Sequence, residues 1–210
     1  MKSKCQGKKI GIFGGSFDPV HKGHLNIAQS AYEEFALDEV RFIPAGHSPN
    51  KLEAEMTSSV ERAKMVALAI EDYPYFKLSM MEIEAQETSF TYLTLTRLKE
   101  QYPDTQFYFI MGADSLDYFE KWCHPEIICE KAILLVAVRK ELDLPQIQEK
   151  IHDIKALFPA EIYPIYGGKT DVSSTELRLH AKNDNSYLKM LPEKVADYIL
   201  ERGLYGYGTK

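Results

Sequence analysis

Short apolar runs alternate with longer stretches that carry apolar residues at helical spacing along most of the chain. The short runs predict strands at residues 9–13, 39–43, 76–83, 106–111, 132–138 and 160–165. The longer stretches predict helices at residues 25–35, 59–73, 89–98, 145–157, 173–181 and 192–202. Strands that alternate with helices in this way predict an α/β fold. We expect a Rossmann-like, doubly wound and mainly parallel sheet with helices on both faces and a small helical C-terminal part.

Length and composition indicate one core. The chain has 210 residues, of which 45% are hydrophobic, and a chain of this size can bury a single sizeable core. We expect the polar, lysine-rich residues 1–8 to be loosely held and residues 9–210 to form a single domain. No apolar run approaches the ~20 residues that span a bilayer, and the three cysteines form no disulfide framework. These features predict a cytoplasmic protein.

The charge balance limits the class of ligand. The formal net charge of −6 argues against a general nucleic-acid surface or an anionic-membrane surface. Any anion must therefore be bound locally, by backbone amides and a few placed cations. This suits a small phosphorylated ligand.

The first stretch whose residues could bind a ligand or catalyse a reaction is GGSFDPVHKGH, residues 14–24. It lies at the point where a predicted strand becomes a helix. Gly14 and Gly15 let a ligand approach the backbone, and the N–H groups of the helix start favour an anion. His21 and His24 are three residues apart and should share a face. Simpler interpretations are a helix cap, or a turn set by Asp18. Metal ligation by the histidines ranks lower, because no carboxylate or cysteine stands at ligand spacing.

Two further turns follow predicted strands or open predicted helices. In GADSLDYFEKW, Gly112 and Asp114 come just after a buried strand, where Asp114 could accept hydrogen bonds from a ribose or simply cap a helix. Trp122, the only tryptophan, could stack on a ligand ring or belong to the core. In DVSSTELR, hydroxyls and a guanidinium could converge on a polyphosphate, although helix capping is an alternative. The residues concerned are Ser173, Ser174, Thr175 and Arg178.

These motifs together resemble a known family. GGSFDPVHKGH, the GADSLDYFEKW turn, VSSTELR and the ending LPEKVADYILERGLY are similar, in order and spacing, to the bacterial nicotinate-mononucleotide adenylyltransferases of the HxGH nucleotidyltransferase superfamily. The resemblance runs from residue 9 to residue 205. Related enzymes that adenylylate pantetheine phosphate share HxGH but are shorter and lack the turn from Asp114 to Trp122.

The resemblance implies the transfer of AMP from ATP to nicotinate mononucleotide, with deamido-NAD and pyrophosphate as products, in NAD biosynthesis. It implies that Mg²⁺ is carried by the ATP phosphates and that no metal is bound by the protein alone. The implied catalytic residues are His21, His24 and Arg178. The implied ATP-binding residues are Gly14, Gly15, Ser16, Phe17, His21, His24, Gly112, Asp114, Arg139, Ser173, Ser174, Thr175 and Arg178.

For the acceptor, the resemblance implies contacts from Ser16, Lys51, Thr91 and Trp122. This sequence departs from the family pattern near these positions, at Asn50, Leu93, Lys140 and Glu141. Two alternatives therefore stay open: an adenylyltransferase that prefers nicotinamide mononucleotide or accepts both acceptors, and a nucleotide-binding sensor without turnover. We expect no nucleic-acid or membrane partner, and a homodimer is left open.

Overall fold

The computed structural model describes residues 7–47, 56–138, 144–166, 172–181 and 185–207. Its strands are β1 Lys9–Gly15, β2 Glu39–Pro44, β3 Phe76–Leu78, β4 Gln106–Gly112, β5 Ala132–Ala137 and β6 Ile162–Ile165. In the described residues they form one sheet in the order β3-β2-β1-β4-β5-β6, and all five pairings are parallel. The predicted doubly wound sheet is confirmed.

Helices cover both faces of the sheet. They are α1 Lys22–Glu34, α2 Ser59–Ile70, α3 Met81–Glu84, α4 Thr91–Gln101, α5 Ala113–Leu116, α6 Pro125–Lys131, α7 Leu144–Leu157, α8 Ser174–His180 and α9 Glu193–Arg202. Apolar residues of α1, α2, α8 and α9 pack on one face, and those of α4, α6 and α7 pack on the other. Short 3-10 turns at Asn185–Met190 and Leu204–Gly206 flank α9.

The two buried faces explain the unbroken apolar runs of the central strands. Successive side chains of a strand point to opposite faces. In β4, Tyr108 and Ile110 therefore belong to one core cluster, whereas Phe107, Phe109 and Met111 belong to the other. A strand covered on both sides has no position that favours a polar residue.

The structure corrects the predicted bounds in two regions. The predicted strand at residues 76–83 is wrong beyond Leu78. Among the described residues β3 lies at the edge of the sheet and pairs with residues 40–42 of β2, and the chain then turns into α3. Helix α6 was not predicted, although Pro125 at its first turn is a common helix start. Elsewhere the differences are small: β1 continues through Gly15, and α1 begins at Lys22 rather than at residue 25.

The strand order places the candidate turns side by side. The chain runs outward from β1 in one direction and from β4 in the other, so the order reverses between these two neighbouring strands. Ligands of open α/β sheets bind at the carboxyl ends of the strands at such a reversal. The residues after β1 and after β4 both lie there. The division into residues 1–8 and 9–210 stays a prediction.

In the part of the chain that the structure describes, no helix combines the length and apolar character needed to cross a membrane.

The end of α9 yields a stability prediction. Gly203 caps this helix with φ 61° and ψ 30°, a left-handed conformation that costs a residue with a Cβ about 1 kcal/mol or more. Replacing Gly203 by Ala should lower the free energy of unfolding, measured by urea denaturation, by about that amount. Gly112→Ala is the matched control, because Gly112 has φ −76° and an added Cβ would meet nothing within 4 Å. Equal losses in both variants would contradict this explanation.

Candidate active site

The histidines of the first motif are held together at the start of α1. His21 is the N-cap residue and His24 lies in the first turn, with ring centroids 3.7 Å apart. The backbone N–H of His21 donates to His24 Nδ1 at 3.2 Å. A neutral His24 ring that accepts at Nδ1 carries its hydrogen on Nε2. The prediction that the two imidazoles share a face is confirmed, and His24 is oriented as a donor through Nε2.

Beneath these rings, Phe17 supports the turn from the core. Its side chain is only 2% exposed and contacts His24 with a centroid distance of 5.1 Å. Its backbone is in the left-handed region, with φ 49°, which brings the chain sharply round after β1. Because the ring points into the core, Phe17 offers the site its backbone and a platform for His24.

Two adjoining clefts open at the carboxyl ends of β1 and β4. The first, here called the histidine cleft, has a volume of about 470 Å³. It brings together twelve of the predicted residues: Gly14, Gly15, Ser16, Phe17, His21, His24, Gly112, Asp114, Trp122, Ser173, Ser174 and Thr175. Asp114 lies inside α5, whose N-cap is Gly112, so the alternative that Asp114 is the N-cap is wrong.

The second cleft, here called the Glu82 cleft, has a volume of about 860 Å³. It includes the predicted acceptor residues Ser16, Thr91 and Trp122 and, unpredicted, Glu82 and Lys121. Both clefts share a wall formed by Gly14, Gly15, Ser16, Phe109, Ser115, Tyr118 and Trp122. The turn after β1 therefore faces two spaces at once. Lys51 and Arg139, and the departures at Asn50, Lys140 and Glu141, lie outside the described residues.

The start of α8 is bonded to the turn after β1. Arg178 Nη1 donates to the backbone oxygen of Asp18 at 2.6 Å, and Ser174 Oγ donates to the oxygen of Pro19 at 2.9 Å. Ser173 forms a capping box with Glu176, as the capping alternative predicted. Ser173, Ser174 and Thr175 line the histidine cleft, whereas Arg178 is not among its lining residues. Arg178 thus contacts the turn after β1 at a point outside the lining of the histidine cleft.

A residue that the sequence analysis did not single out, Arg62, holds the same turn from the other side. Its side chain is 1% exposed, and its guanidinium donates to the backbone oxygens of Ser16 at 2.6 Å, Ala45 at 2.6 Å and Thr57 at 3.0 Å. Burial lowers the pKa of Arg62, while the charge of Asp18 opposes that shift. The sequence does contain an indication of this role, because Arg62 stands on the apolar face of the helix predicted at residues 59–73.

The Glu82 cleft has a half-buried carboxyl group in its wall. Thr94 Oγ1 donates to Glu82 Oε1 at 2.6 Å, and desolvation raises the pKa of Glu82 despite this hydrogen bond. Lys121 is the other charged side chain among the described residues that line this cleft. The exposed Lys121 ammonium group favours an anionic ligand in this cleft.

Trp122 separates the two clefts. Its ring packs on Phe109 and Phe119, with centroid distances of 6.1 and 5.5 Å, so the core alternative is partly correct. Its Nε1 atom is buried and has no hydrogen-bond partner among the described residues. A buried indole N–H normally finds an acceptor, so this unpaired donor is a notable feature of the wall between the clefts.

Metal ligands are not grouped in the described ranges. No set of three or more His, Cys, Asp or Glu side chains there is placed to hold a metal ion. A cation that arrives bound to phosphate oxygens requires no such set.

The sheet order and the turn with its two clefts define a nucleotide-binding protein of the Rossmann-like class. Residues 12–180 match the family model described as cytidylyltransferase-like. A protein named "Probable nicotinate-nucleotide adenylyltransferase" from Lachnoclostridium phytofermentans is 39% identical over 94% of this chain and 99% of its own. A protein of the same name from Bacillus cytotoxicus is 40% identical over 94% and 98%.

Solved structures agree on the fold. The nicotinic acid mononucleotide adenylyltransferase of Plasmodium falciparum complexed with NaAD superposes with a TM-score of 0.79 at 24% identity, covering 97% of this chain and all of that one. The same enzyme complexed with APC gives a TM-score of 0.77 at 23% identity, with the same coverage. The chain belongs to the cytidylyltransferase-like family and, within it, to the nicotinate-nucleotide adenylyltransferases.

The buried guanidinium yields a second stability prediction. Arg62→Met keeps an unbranched side chain of similar length but removes the donors for the backbone carbonyls of Ser16, Ala45, Gly46 and Thr57. It also removes the positive charge that attracts Asp18. Breaking a buried charged network costs about 3–5 kcal/mol, so chemical denaturation should show a loss of that size. Arg97→Met is the matched control, because the Arg97–Glu87 pair is 43% and 44% exposed and such pairs contribute about 1 kcal/mol at most. If the two variants are equally stable, Arg62 does not hold the turn.

Proposed function

We propose that this chain transfers AMP from ATP to nicotinate mononucleotide and releases pyrophosphate, with ATP in the histidine cleft and the mononucleotide in the Glu82 cleft. The observation that carries this assignment is the wall that the two clefts share at Gly14, Gly15 and Ser16. Phosphates that enter from the two sides can meet at this wall. The names of the relatives support the same reaction.

On the ATP side, His24 donates through Nε2 to the α-phosphate and His21 contacts the triphosphate. Asp114 and Gly112 bind the ribose at the end of β4. The β- and γ-phosphates lie toward the start of α8, against Ser173, Ser174 and Thr175, and Mg²⁺ bound to phosphate oxygens accompanies the ATP. Arg178 supports this arrangement through the oxygen of Asp18, and its direct contact with phosphate stays a prediction, as does that of Arg139.

On the acceptor side, Ser16 contacts the phosphate of the mononucleotide where the clefts meet. Trp122 stacks on or borders the pyridine ring. The backbone N–H groups at Thr91, at the start of α4, suit the pyridine carboxylate, because a helix N-terminus attracts negative charge. Lys121 adds a cation to the same cleft. Contact between Lys51 and the phosphate stays a prediction.

The chemistry follows from the placement of charges. A phosphate oxygen of the acceptor is already anionic near neutral pH, so it attacks the α-phosphorus in line without a general base. The reaction then depends on positioning the two phosphates and on stabilising the charge that develops on the α-phosphate. Phosphoryl and nucleotidyl transfers are catalysed mainly in this way. His24 is the side chain that this scheme requires most.

Removal of the His24 donor tests this scheme. His24→Ala should lower kcat by about a hundredfold to a thousandfold, the usual effect of losing one donor to a developing oxyanion, with little change in melting temperature. The measurement is coupled detection of pyrophosphate with ATP and nicotinate mononucleotide. His152→Ala is the control, because His152 is exposed on α7. Unaltered turnover in His24→Ala would contradict the role of His24 in stabilising charge on the α-phosphate.

Acceptor preference yields a separate prediction. The acid form places a carboxylate at the start of α4, where a hydrogen bond to a charged group is stronger than one to a neutral amide. We expect kcat/KM for nicotinate mononucleotide to exceed that for nicotinamide mononucleotide by about tenfold or more. Pyrophosphate release measured with each acceptor at saturating ATP decides this. Equal or higher efficiency with the amide would overturn the assignment of the acid.

A further inference from the structure

The last turn of the chain that the structure describes contacts the turn after β1 through a hydrogen bond from Tyr205 to Asp18. In the 3-10 turn Leu204–Gly206, Tyr205 has φ 59° and ψ 3°, a left-handed conformation that a tyrosine adopts only where its surroundings hold it. Its hydroxyl donates to Asp18 Oδ1 at 2.6 Å. Asp18 is 1% exposed and lies three residues before His21. The left-handed backbone at Tyr205 thus places its hydroxyl against Asp18 in the GGSFDPVHKGH motif.

This contact closes a ring of hydrogen bonds, here called the brace. The side chain of Thr57 hydrogen bonds to the phenol hydroxyl of Tyr205, and the backbone oxygen of Thr57 accepts from Arg62 Nε at 3.0 Å. Arg62 Nη1 donates to the oxygen of Ser16 at 2.6 Å. Ser16 and Asp18 are therefore held from two sides, by groups that are far from them in the sequence.

The charges in the brace reinforce its geometry. Burial and the adjacent Asp18 carboxylate raise the pKa of Tyr205 well above its usual range, so the phenol stays protonated and remains a donor. The charges of Asp18 and Arg62 attract one another in the interior. Loss of the Tyr205 hydroxyl would leave the buried Asp18 carboxylate without its short hydrogen bond, and a poorly satisfied buried charge moves toward a new partner.

We propose that Tyr205 is a positioning residue for nucleotidyl transfer: through Asp18 it fixes the turn from Ser16 to His21 in the shape that aligns the two phosphates. The proposal rests on the proposed function, because the turn matters for turnover only if both phosphates meet there. Tyr205 itself is not among the described residues that line the histidine cleft or the Glu82 cleft.

A second tyrosine in the same segment supplies a matched control. Tyr207 is 1% exposed, and its hydroxyl donates to the backbone oxygen of Leu177 in α8 at 3.0 Å. It is thus as buried as a core residue and equally hydrogen bonded. Tyr207→Phe removes a hydroxyl that connects the C-terminal segment to α8, whereas Tyr205→Phe removes the hydroxyl that donates to Asp18, so the pair separates stability from positioning.

The experiment compares Tyr205→Phe and Tyr207→Phe with the full-length protein, by steady-state kinetics with ATP and nicotinate mononucleotide and by melting temperature. We expect Tyr205→Phe to lower kcat by about tenfold to a hundredfold, the usual effect of a small misplacement near reacting groups, while KM for ATP changes by less than about threefold, since only turnover requires the alignment. We expect Tyr207→Phe to keep kcat within about twofold of the parent value. Its melting temperature should fall by at least as much as that of Tyr205→Phe.

Either of two results overturns the proposal: a folded Tyr205→Phe variant with kcat within about twofold of the parent, or an equal loss of kcat in Tyr207→Phe. If Tyr205→Phe does not fold, Thr57→Val serves in its place, because it keeps the side-chain shape and removes one hydrogen bond of the brace. Thr57→Val should then lower kcat by severalfold. An unchanged kcat in Thr57→Val would also overturn the proposal. Failure of the proposed function is distinguishable, because the parent protein itself would then release no pyrophosphate with this acceptor.

Discussion

The buried guanidinium of Arg62 is the interaction on which the site depends. It connects the turn after β1, the loop after β2 and the chain before α2 through the oxygens of Ser16, Ala45 and Thr57. All three carbonyls lie outside the named strands and helices, and a single side chain with several planar donors connects them. The cost of burying its charge is offset by the hydrogen bonds and by the buried Asp18 carboxylate.

Because the turn is fixed in this way, one short segment can serve two ligands. Gly14, Gly15 and Ser16 face both clefts, while α1 and α8 begin at its edges and present N–H groups. The chain as a whole is acidic, with a net charge of −6, so attraction of phosphates comes from oriented donors and not from a basic surface. This matches a reaction in which alignment and charge stabilisation replace acid–base chemistry.

Local sequence patterns predicted most of the fold, and together with the family resemblance they predicted twelve of the residues that line the histidine cleft. The apolar runs located the six strands, and the glycines and histidines located the main turn. The short β3 was overestimated, because an apolar edge segment does not reveal where its pairing ends. The roles of Arg62 and Tyr205 were missed for a different reason: each acts on Ser16 or Asp18 from a distant part of the chain, and hydrogen bonds of that kind leave no periodic pattern. Arg62 alone gave a hint, as a charge on an apolar helix face.

The most direct test of the account is a crystal structure of this chain with deamido-NAD bound. We predict the adenosine side in the histidine cleft, the pyridine ring in the Glu82 cleft beside Trp122, and an oxygen of the adenylyl phosphate at about 3 Å from His24 Nε2. The bridging phosphates should lie over Gly15 and Ser16. A dinucleotide whose phosphates lie away from His24, or whose two halves occupy a single cleft, would contradict the claim that one braced turn joins two nucleotide sites.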